Sequence, residues 1–264
     1  MPKKETVTSL QAAKGERKLV MITAYDALFA SLLHDAADLL LVGDSLNMSF
    51  LGEPDTLSAT MEQMIYHTRA VCNGAPDAFV VCDMPFGSLN TPDEALRNCV
   101  KVFQRTRADA VKIEGGAERA PLVRHLCDNA IAVMGHVGLK PQSVRSEGGY
   151  KVQGRDKESF ERVLDDARAI EEAGAFALVV EGVVPELGRA VTEAVKIPVI
   201  GIGAGADTDG QVLVWSDMLG FFDKFRPKFV KRYMQGADAV RQAAAQYAEE
   251  VRNGTFPGEE HCYS

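Results

Sequence analysis

The sequence predicts an α/β protein with the (βα)8 TIM barrel fold, and three observations support this prediction. Eight short apolar runs recur along the 264 residues, at 18–26, 38–45, 77–85, 108–115, 131–139, 176–183, 197–205 and 211–219. Most of the runs are continuously apolar, which is typical of parallel strands covered on both faces. Helix signals lie between most of them, as a barrel requires. A doubly wound open sheet is the alternative, because periodicity does not show whether a sheet closes.

The helix signals between the runs have recognisable beginnings. Thr60 and Gln63 have the spacing of a capping box. Thr91 is the predicted N-cap of a later helix, with Pro92 at its first helical position. Residues 157–175 carry apolar side chains at helical spacing and end near a glycine.

Three segments fall outside the repeat. A short N-terminal helix over 8–16 is expected to close the bottom of the barrel. The polar, glycine-rich stretch 143–156 is predicted to be a long loop after the fifth strand, where such loops often cover an active site. Residues 236–254 form a predicted C-terminal helix. Since the length suits one barrel and no linker is evident, we expect a single domain over residues 1–264.

Composition and charge exclude several functional classes. The chain is 46% hydrophobic and 25% charged, as in ordinary globular proteins. Its net charge of -8 argues against non-specific nucleic-acid binding. The five cysteines show no CxxC spacing, which is consistent with reduced thiols. Residues 1–17 lack the apolar core of a signal peptide, and no run is long enough to cross a bilayer. We therefore expect a cytoplasmic protein without membrane or nucleic-acid partners.

Charged and polar side chains stand at the ends of the predicted strands. They are Asp26, Asp44, Ser45, Asp83, Lys112, Glu114, His136 and Glu181. The active site of a barrel lies at the carboxyl ends of its strands, so these side chains would share one rim. Their carboxylates would repel one another unless a positive charge sat among them. A divalent cation would supply that charge, and an all-oxygen ligand set favours Mg²⁺ over Zn²⁺.

Each of these residues also has a structural interpretation. A single Asp after a strand is more often a turn or N-cap residue, and we favour that role for Asp26. His136 could be a hydrogen-bonded core histidine, and Lys112 with Glu114 could be a structural ion pair. The glycine-rich segment 201–205 is only a weak signal for phosphate binding. The concentration of charge at one rim is what favours a functional site.

Longer motifs follow one another along the chain. They read ITAYD (22–26), LVGDSLNM (41–48), DMPF (83–86), VKIEGG (111–116), GHVGLKPQSV (135–144), GGYKVQGR (148–155), IPVIGIGAG (197–205), DGQVLV (209–214), PKFVKRY (227–233) and PGEEH (257–261). In this order and spacing they resemble the ketopantoate hydroxymethyltransferase family, also named 3-methyl-2-oxobutanoate hydroxymethyltransferases. The resemblance extends from residue 7 to the end of the chain.

The resemblance implies a barrel of the phosphoenolpyruvate/pyruvate type and a cytoplasmic homodecamer. It also implies a reaction of pantothenate and coenzyme A biosynthesis. In this reaction a hydroxymethyl group moves from 5,10-methylenetetrahydrofolate to 3-methyl-2-oxobutanoate and gives 2-dehydropantoate (ketopantoate). The enzyme would thus bind Mg²⁺, the folate co-substrate and a 2-oxo acid.

The resemblance also implies roles for the rim residues. Glu181 matches the general base. The residues that match the Mg²⁺ site are Asp44, Asp83 and, through a water molecule, Glu114. The residues assigned to substrate binding are Asp44, Ser45, Asp83, Lys112 and His136.

The chain departs from the family's usual pattern near these residues. Asn47 stands where Gly is usual, and the segment 57–60 reads LSAT instead of Leu-Pro-Val-Thr. Gly182 stands beside the expected base, where Cys or Ala is more common. These changes leave every carboxylate in place, so they bear on substrate range and rate rather than on the type of reaction.

Two other functions compete with this interpretation. A carbon–carbon lyase of the same superfamily would use a similar Mg²⁺ site, but typically with a catalytic cysteine after the fourth strand. The corresponding segment 115–122 reads GGAERAPL and contains no cysteine. A non-catalytic barrel, retained as a scaffold or metabolite-binding module, would be expected to have lost its rim residues, yet the charged set is complete.

Overall fold

The computed structural model describes residues 4–222 and 226–263. Its strands are parallel and pair in chain order, and the last pairs with the first to close a barrel. They are β1 (Leu19–Thr23), β2 (Leu39–Val42), β3 (Phe79–Asp83), β4 (Ala110–Glu114), β5 (Val133–Gly138), β6 (Ala177–Glu181), β7 (Val199–Ile202) and β8 (Gly210–Leu213). The predicted (βα)8 barrel is confirmed, and the open-sheet alternative is wrong.

Helices alternate with most of the strands in the described residues. They are α1 (Val7–Ala12), α2 (Ala27–Leu33), α3 (Met61–Gly74), α4 (Pro92–Arg105), α5 (Ala120–Asp128), α6 (Lys157–Glu172), α7 (Pro185–Ala194), α8 (Trp215–Met218) and α9 (Gly236–Asn253). The sequence predicts a strand over 211–219 from the eighth apolar run, and this prediction is wrong beyond residue 213. The run continues into α8, because a continuously apolar run does not distinguish a short strand from a short buried helix.

The predicted helix starts are confirmed by their hydrogen bonds. Gln63 N donates to Thr60 Oγ1 at 3.2 Å and Thr60 N donates to Gln63 Oε1 at 2.8 Å, which completes a capping box at the start of α3. Thr91 caps α4 by accepting a hydrogen bond from the backbone of the third helical residue. Asp26 accepts from Phe29 N at 2.9 Å at the start of α2, so it is a cap as expected.

The chain divides into two compact units, residues 1–214 and 215–264. The first contains the whole barrel. The second contains α8 and α9, and α9 ends at Gly254 in the left-handed conformation, at a φ of 77°. The expectation of a single domain over 1–264 stays a prediction. No helix within residues 4–222 and 226–263 combines the length and hydropathy required of a membrane-spanning segment.

The amino-terminal end of the barrel is closed by apolar side chains that we call the floor. Its members include Leu10 of α1, Leu19 and Phe79 at the starts of β1 and β3, and Phe176 just before β6. The rings of Phe79 and Phe176 meet edge to face, with centroids 5.8 Å apart. Leu10 is 1% exposed, so the short N-terminal helix closes the barrel as expected, although it spans only Val7–Ala12.

Candidate active site

The strand register brings the predicted charged residues to the opposite end of the barrel. Asp83, Glu114 and Glu181 are the last residues of β3, β4 and β6. Lys112 pairs in register with Asp83, and His136 with Glu114. Because residues two apart on a strand share a face, Lys112 and Glu114 both point to the same side of the sheet. We call the set Asp44, Asp83, Lys112, Glu114, His136 and Glu181 the mouth cluster.

Lys112 lies at the centre of the mouth cluster. Its Nζ is 2.8 Å from Asp83 Oδ1 and 3.1 Å from His136 Nδ1. Burial lowers the pKa of the lysine, but the charges of Asp83, Glu114 and Asp44 outweigh burial and raise it. Lys112 is therefore a permanently charged ammonium group held beside carboxylates.

Asp44 and Asp83 are two buried carboxylates in direct proximity. Asp44 lies in the turn after β2, and its backbone N donates to Asp83 Oδ2 at 3.3 Å. Both side chains belong to residues that are only 3% exposed. Burial, and then the charges of Asp83 and Glu114, raise the pKa of Asp44 well above its usual range. Burial also raises the pKa of Asp83, although Lys112 opposes this. A further positive charge near this pair would favour the ionised form of both carboxyl groups.

His136 connects two further carboxylates of the mouth cluster. Its Nδ1 lies 3.4 Å from Glu114 Oε1, and its Nε2 lies 3.3 Å from Glu181 Oε2. Burial and the charge of Lys112 lower the pKa of His136, but the carboxylates of Glu114 and Glu181 beside the ring raise it to about 9. Burial raises the pKa of Glu114, but its contacts with His136 outweigh burial and the net shift is downward.

Ser45 reaches the same rim from the turn after β2, but it is held by a residue that the sequence did not single out. Tyr25 OH and Ser45 Oγ lie 2.8 Å apart, and Tyr25 is fully buried. Two features of the sequence could have indicated this role for Tyr25. It lies just after β1, and it carries a hydroxyl group, which in a buried tyrosine usually has a hydrogen-bond partner.

Gln142 is a second residue that sequence reasoning missed. It belongs to the loop after β5 and contacts the ends of three other strands through hydrogen bonds to Asp44, the Met84 carbonyl and Glu114. The sequence placed it in the motif GHVGLKPQSV but gave it no role, because a loop side chain carries no periodicity.

The positions expected to depart from the family pattern have specific surroundings in this chain. Asn47 is fully buried, and its Nδ2 donates to Ser58 Oγ at 2.9 Å, so two of the unusual positions contact each other. Gly182 has a φ of 59°, and a Cβ there would lie 2.8 Å from the Leu139 Cβ. This chain therefore requires glycine directly after Glu181.

Cavities open beside the mouth cluster. One of about 230 Å³ is lined by Glu114 and Gln142, with Arg119 and Lys140 contributing positive charge. Another of about 400 Å³ is lined by Gln142, Phe86 and Arg145. Small polar molecules can therefore approach the carboxylates from the loop side.

The carboxylates of the mouth cluster are the candidate ligands of a divalent cation. Within the described parts of the chain, no three or more His, Cys, Asp or Glu side chains are arranged to hold a metal ion. Asp44 and Asp83 nevertheless fit Mg²⁺ chemically, because they are two buried carboxylate residues in contact with each other at one rim, and Mg²⁺ prefers carboxylate oxygens. Glu114 is engaged with His136 and Gln142, which suits a ligand that acts through water. The metal assignment stays a prediction.

Comparison with known proteins decides the family. The family model described as ketopantoate hydroxymethyltransferase matches residues 4–259. The chain belongs to this family. It is 60% identical over 260 residues to the 3-methyl-2-oxobutanoate hydroxymethyltransferase of Aliarcobacter butzleri, covering 98% of this chain and 97% of that protein. It is 58% identical to the one of Nitratiruptor sp., over 100% of both chains. The resemblance found in the motifs is thus confirmed, and the chain is a member of a family of transferases.

Solved structures of other proteins show the same fold. A phosphonopyruvate hydrolase superposes with a TM-score of 0.64 at 14% identity, covering 98% of this chain and 92% of that one. A 2,3-dimethylmalate lyase of the PEP mutase/isocitrate lyase superfamily gives a TM-score of 0.61 at 17% identity, over 97% of this chain and 91% of that one. At such identities the likeness concerns the fold alone, and it agrees with the closed eight-stranded barrel of this chain.

Proposed function

We propose that this protein transfers a hydroxymethyl group from 5,10-methylenetetrahydrofolate to 3-methyl-2-oxobutanoate and releases 2-dehydropantoate. The observation that carries the proposal is the mouth cluster, in which every charged residue matched to the family lies in one connected network. The high identity to named hydroxymethyltransferases supports the same reaction.

Asp44 and Asp83 would hold Mg²⁺ directly, and Glu114 would hold it through water. When bound, the metal supplies electron withdrawal from the carbonyl of the 2-oxo acid, which makes the neighbouring C3 proton more acidic. Lys112 adds a fixed positive charge beside the same oxygens, since it is held against Asp83.

Ser45 would bind the substrate carboxylate. Its hydroxyl is held by Tyr25, so its orientation is fixed before the substrate arrives. A preset donor lowers the entropy lost on binding, because the protein does not have to order the side chain in the complex.

Glu181 would remove the C3 proton. Its side chain is 20% exposed, so a substrate can reach it, and its Oε2 is held 3.3 Å from His136 Nε2. The C3 carbon would then attack the methylene carbon of the folate and form a carbon–carbon bond. The two methylene–nitrogen bonds break and water supplies the hydroxyl oxygen. The two nitrogens take up the C3 proton, returned from Glu181, and one proton of the water, and tetrahydrofolate leaves. His136 keeps Glu181 oriented through these steps.

Proton exchange without folate tests this proposal directly. The protein is incubated with Mg²⁺ and 3-methyl-2-oxobutanoate in D2O, and loss of the C3 proton signal is followed by NMR. We expect exchange in the wild type, and its loss on chelation and in Glu181→Gln. Glu118→Gln is the matched control, because Glu118 lines the neighbouring cavity but its side chain is 59% exposed and lies outside the mouth cluster. Absence of exchange in folded, metal-loaded wild type would refute the proposal.

We propose in addition that the protein works in the cytoplasm as a homodecamer. Large apolar side chains on α2 and α3 support an assembly, since Leu28 and Leu32 are each 67% exposed and Tyr66 is 71% exposed. Light scattering after size-exclusion chromatography would measure the mass, and a monomer at micromolar concentration would contradict the proposed assembly.

A further inference from the structure

We infer that Gln142 is a positioning residue, which fixes the carboxylate of Asp44 and thereby sets the geometry of the mouth cluster. This inference rests on the proposed function, because it takes Asp44 as a direct ligand of the divalent cation. Gln142 lies in a 3₁₀ turn (Pro141–Ser143) on the loop after β5, 98 residues from Asp44 in sequence.

The side-chain amide of Gln142 uses both of its hydrogens. Its Nε2 donates to Asp44 Oδ2 at 2.9 Å and to the Met84 carbonyl at 2.9 Å. An amide nitrogen has two N–H donors, whereas the amide oxygen can only accept. A flipped amide would place that oxygen against a carboxylate and a carbonyl, so the two contacts determine its orientation. The amide is therefore a rigid link between the ends of β2 and β3.

The backbone of Gln142 makes a third connection. Its N–H donates to Glu114 Oε2 at 3.0 Å, at the end of β4. A single loop residue thus touches the carboxyl ends of three successive strands. This arrangement links Asp44 and Glu114 through one residue of a different loop.

The loop itself is fastened on both sides of Gln142. Before it, Pro141 restricts the backbone at the start of the 3₁₀ turn. After it, Arg145 donates to Asp55 Oδ2 from Nη2 at 3.0 Å and from Nε at 3.3 Å. Gln142 therefore lies on a loop that Pro141 restricts and that the Arg145–Asp55 ion pair connects to another loop.

The hydrogen bond from Gln142 restricts the rotation of the Asp44 carboxylate. A carboxylate held at one oxygen loses the freedom to turn about its terminal bond, so the position of the other oxygen is set as well. Groups that hold metal ligands in this way typically change metal affinity or activity by about 10–100-fold when they are removed. We expect Gln142 to act at this scale.

The test measures Mn²⁺ binding by electron paramagnetic resonance, with Mn²⁺ as a spectroscopic substitute for Mg²⁺. Gln142→Met keeps the length of the side chain and removes its donors, and Gln142→Ala is a second variant. Gln153→Met is the matched control, because Gln153 belongs to the same loop and its side chain contacts Lys151, Ser159 and Arg162 instead of a carboxylate. Thermal unfolding and circular dichroism establish that each variant is folded.

We expect Gln142→Met and Gln142→Ala to bind Mn²⁺ about tenfold more weakly than wild type, and Gln153→Met to bind it equally well. Wild-type affinity in both Gln142 variants would overturn the inference, as would an equal loss in Gln153→Met. Absence of Mn²⁺ binding in the wild type would also overturn it. Failure of both Gln142 variants to fold would assign the residue to the stability of the barrel and overturn its positioning role.

The exchange experiment separates this inference from the proposed function. Wild type that binds Mn²⁺ but shows no C3 exchange would refute the function, while the affinity difference at Gln142 would still be measurable. Wild type that exchanges normally, with Gln142 variants unchanged in Mn²⁺ affinity, would retain the function and refute the positioning role.

Discussion

The two ends of the barrel are built from the same strands but by opposite chemistry. β3 begins with Phe79 in the floor and ends with Asp83 in the mouth cluster, and the β6 region runs from Phe176 to Glu181 in the same way. The floor buries apolar surface, which stabilises the fold by about 25 cal/mol per Å². The mouth cluster buries charges, whose desolvation opposes folding. The floor therefore raises the free energy of unfolding. Burial of the mouth cluster lowers it, and the stability from the floor offsets this cost.

The strongest challenge to this comparison is Lys112→Met. Removing the ammonium group leaves Asp83 and its neighbours buried without their fixed counter-charge, so we expect the free energy of unfolding to fall by about 3–5 kcal/mol. Urea denaturation, followed by circular dichroism, measures it. The double variant Lys112→Met/Asp83→Leu should lose less than the single one, because it also removes the carboxylate that Lys112 contacts directly. An equal or greater loss in the double variant would show that the mouth cluster is stabilising.

The floor is tested by Phe176→Ala. We expect a loss of about 3–5 kcal/mol in the free energy of unfolding, because the cavity cannot collapse between Phe79 and the surrounding strands. C3 exchange per folded molecule should stay at the wild-type rate, since the site lies at the other end of the strands. A fall in exchange at constant folded fraction would contradict the separation of the two ends.

A smaller effect is expected from Gly182→Ala. The left-handed backbone at a φ of 59° costs about 1–2 kcal/mol for a residue with a Cβ, and Leu139 leaves no room for it. Because the change adjoins Glu181, exchange should slow together with the loss in unfolding free energy. Gly254→Ala is the control, since a Cβ at that left-handed glycine meets no atom within 4 Å. If Gly182→Ala left the free energy of unfolding unchanged, the backbone at this turn would be able to shift and accommodate a Cβ.

The smallest expected effect concerns the thiols between the two ends. Burial raises the pKa of Cys82 on β3 and of Cys99 on α4 to about 12, so few thiolates form at pH 8. Cys262 is exposed. Iodoacetamide at pH 8 should modify Cys262 first, as read by mass spectrometry of peptides. Early modification of Cys82 in folded protein would show that the strands open between floor and mouth.

Much of this arrangement follows from the sequence because it depends on local rules. Strand length and the parallel pattern place Asp83, Lys112 and Glu114 at one rim, and the caps at Thr60 and Thr91 follow from side-chain chemistry. The contribution of Gln142 could not be predicted from the sequence, because its partners are distant in sequence and lie at the ends of other strands. The end of β8 was misplaced for a different reason, because its apolar run continues into α8.

The contact between Asn47 and Ser58 has a consequence for exchanging residues among relatives. Each side chain is a partner of the other, and Asn47 is fully buried. Glycine at 47 alone would leave a void and release Ser58, and proline at 58 alone would take away the hydroxyl that receives the Asn47 amide. We therefore expect the two positions to be epistatic: the residues expected of the family, glycine at 47 and proline at 58, would enter this chain together more easily than one at a time.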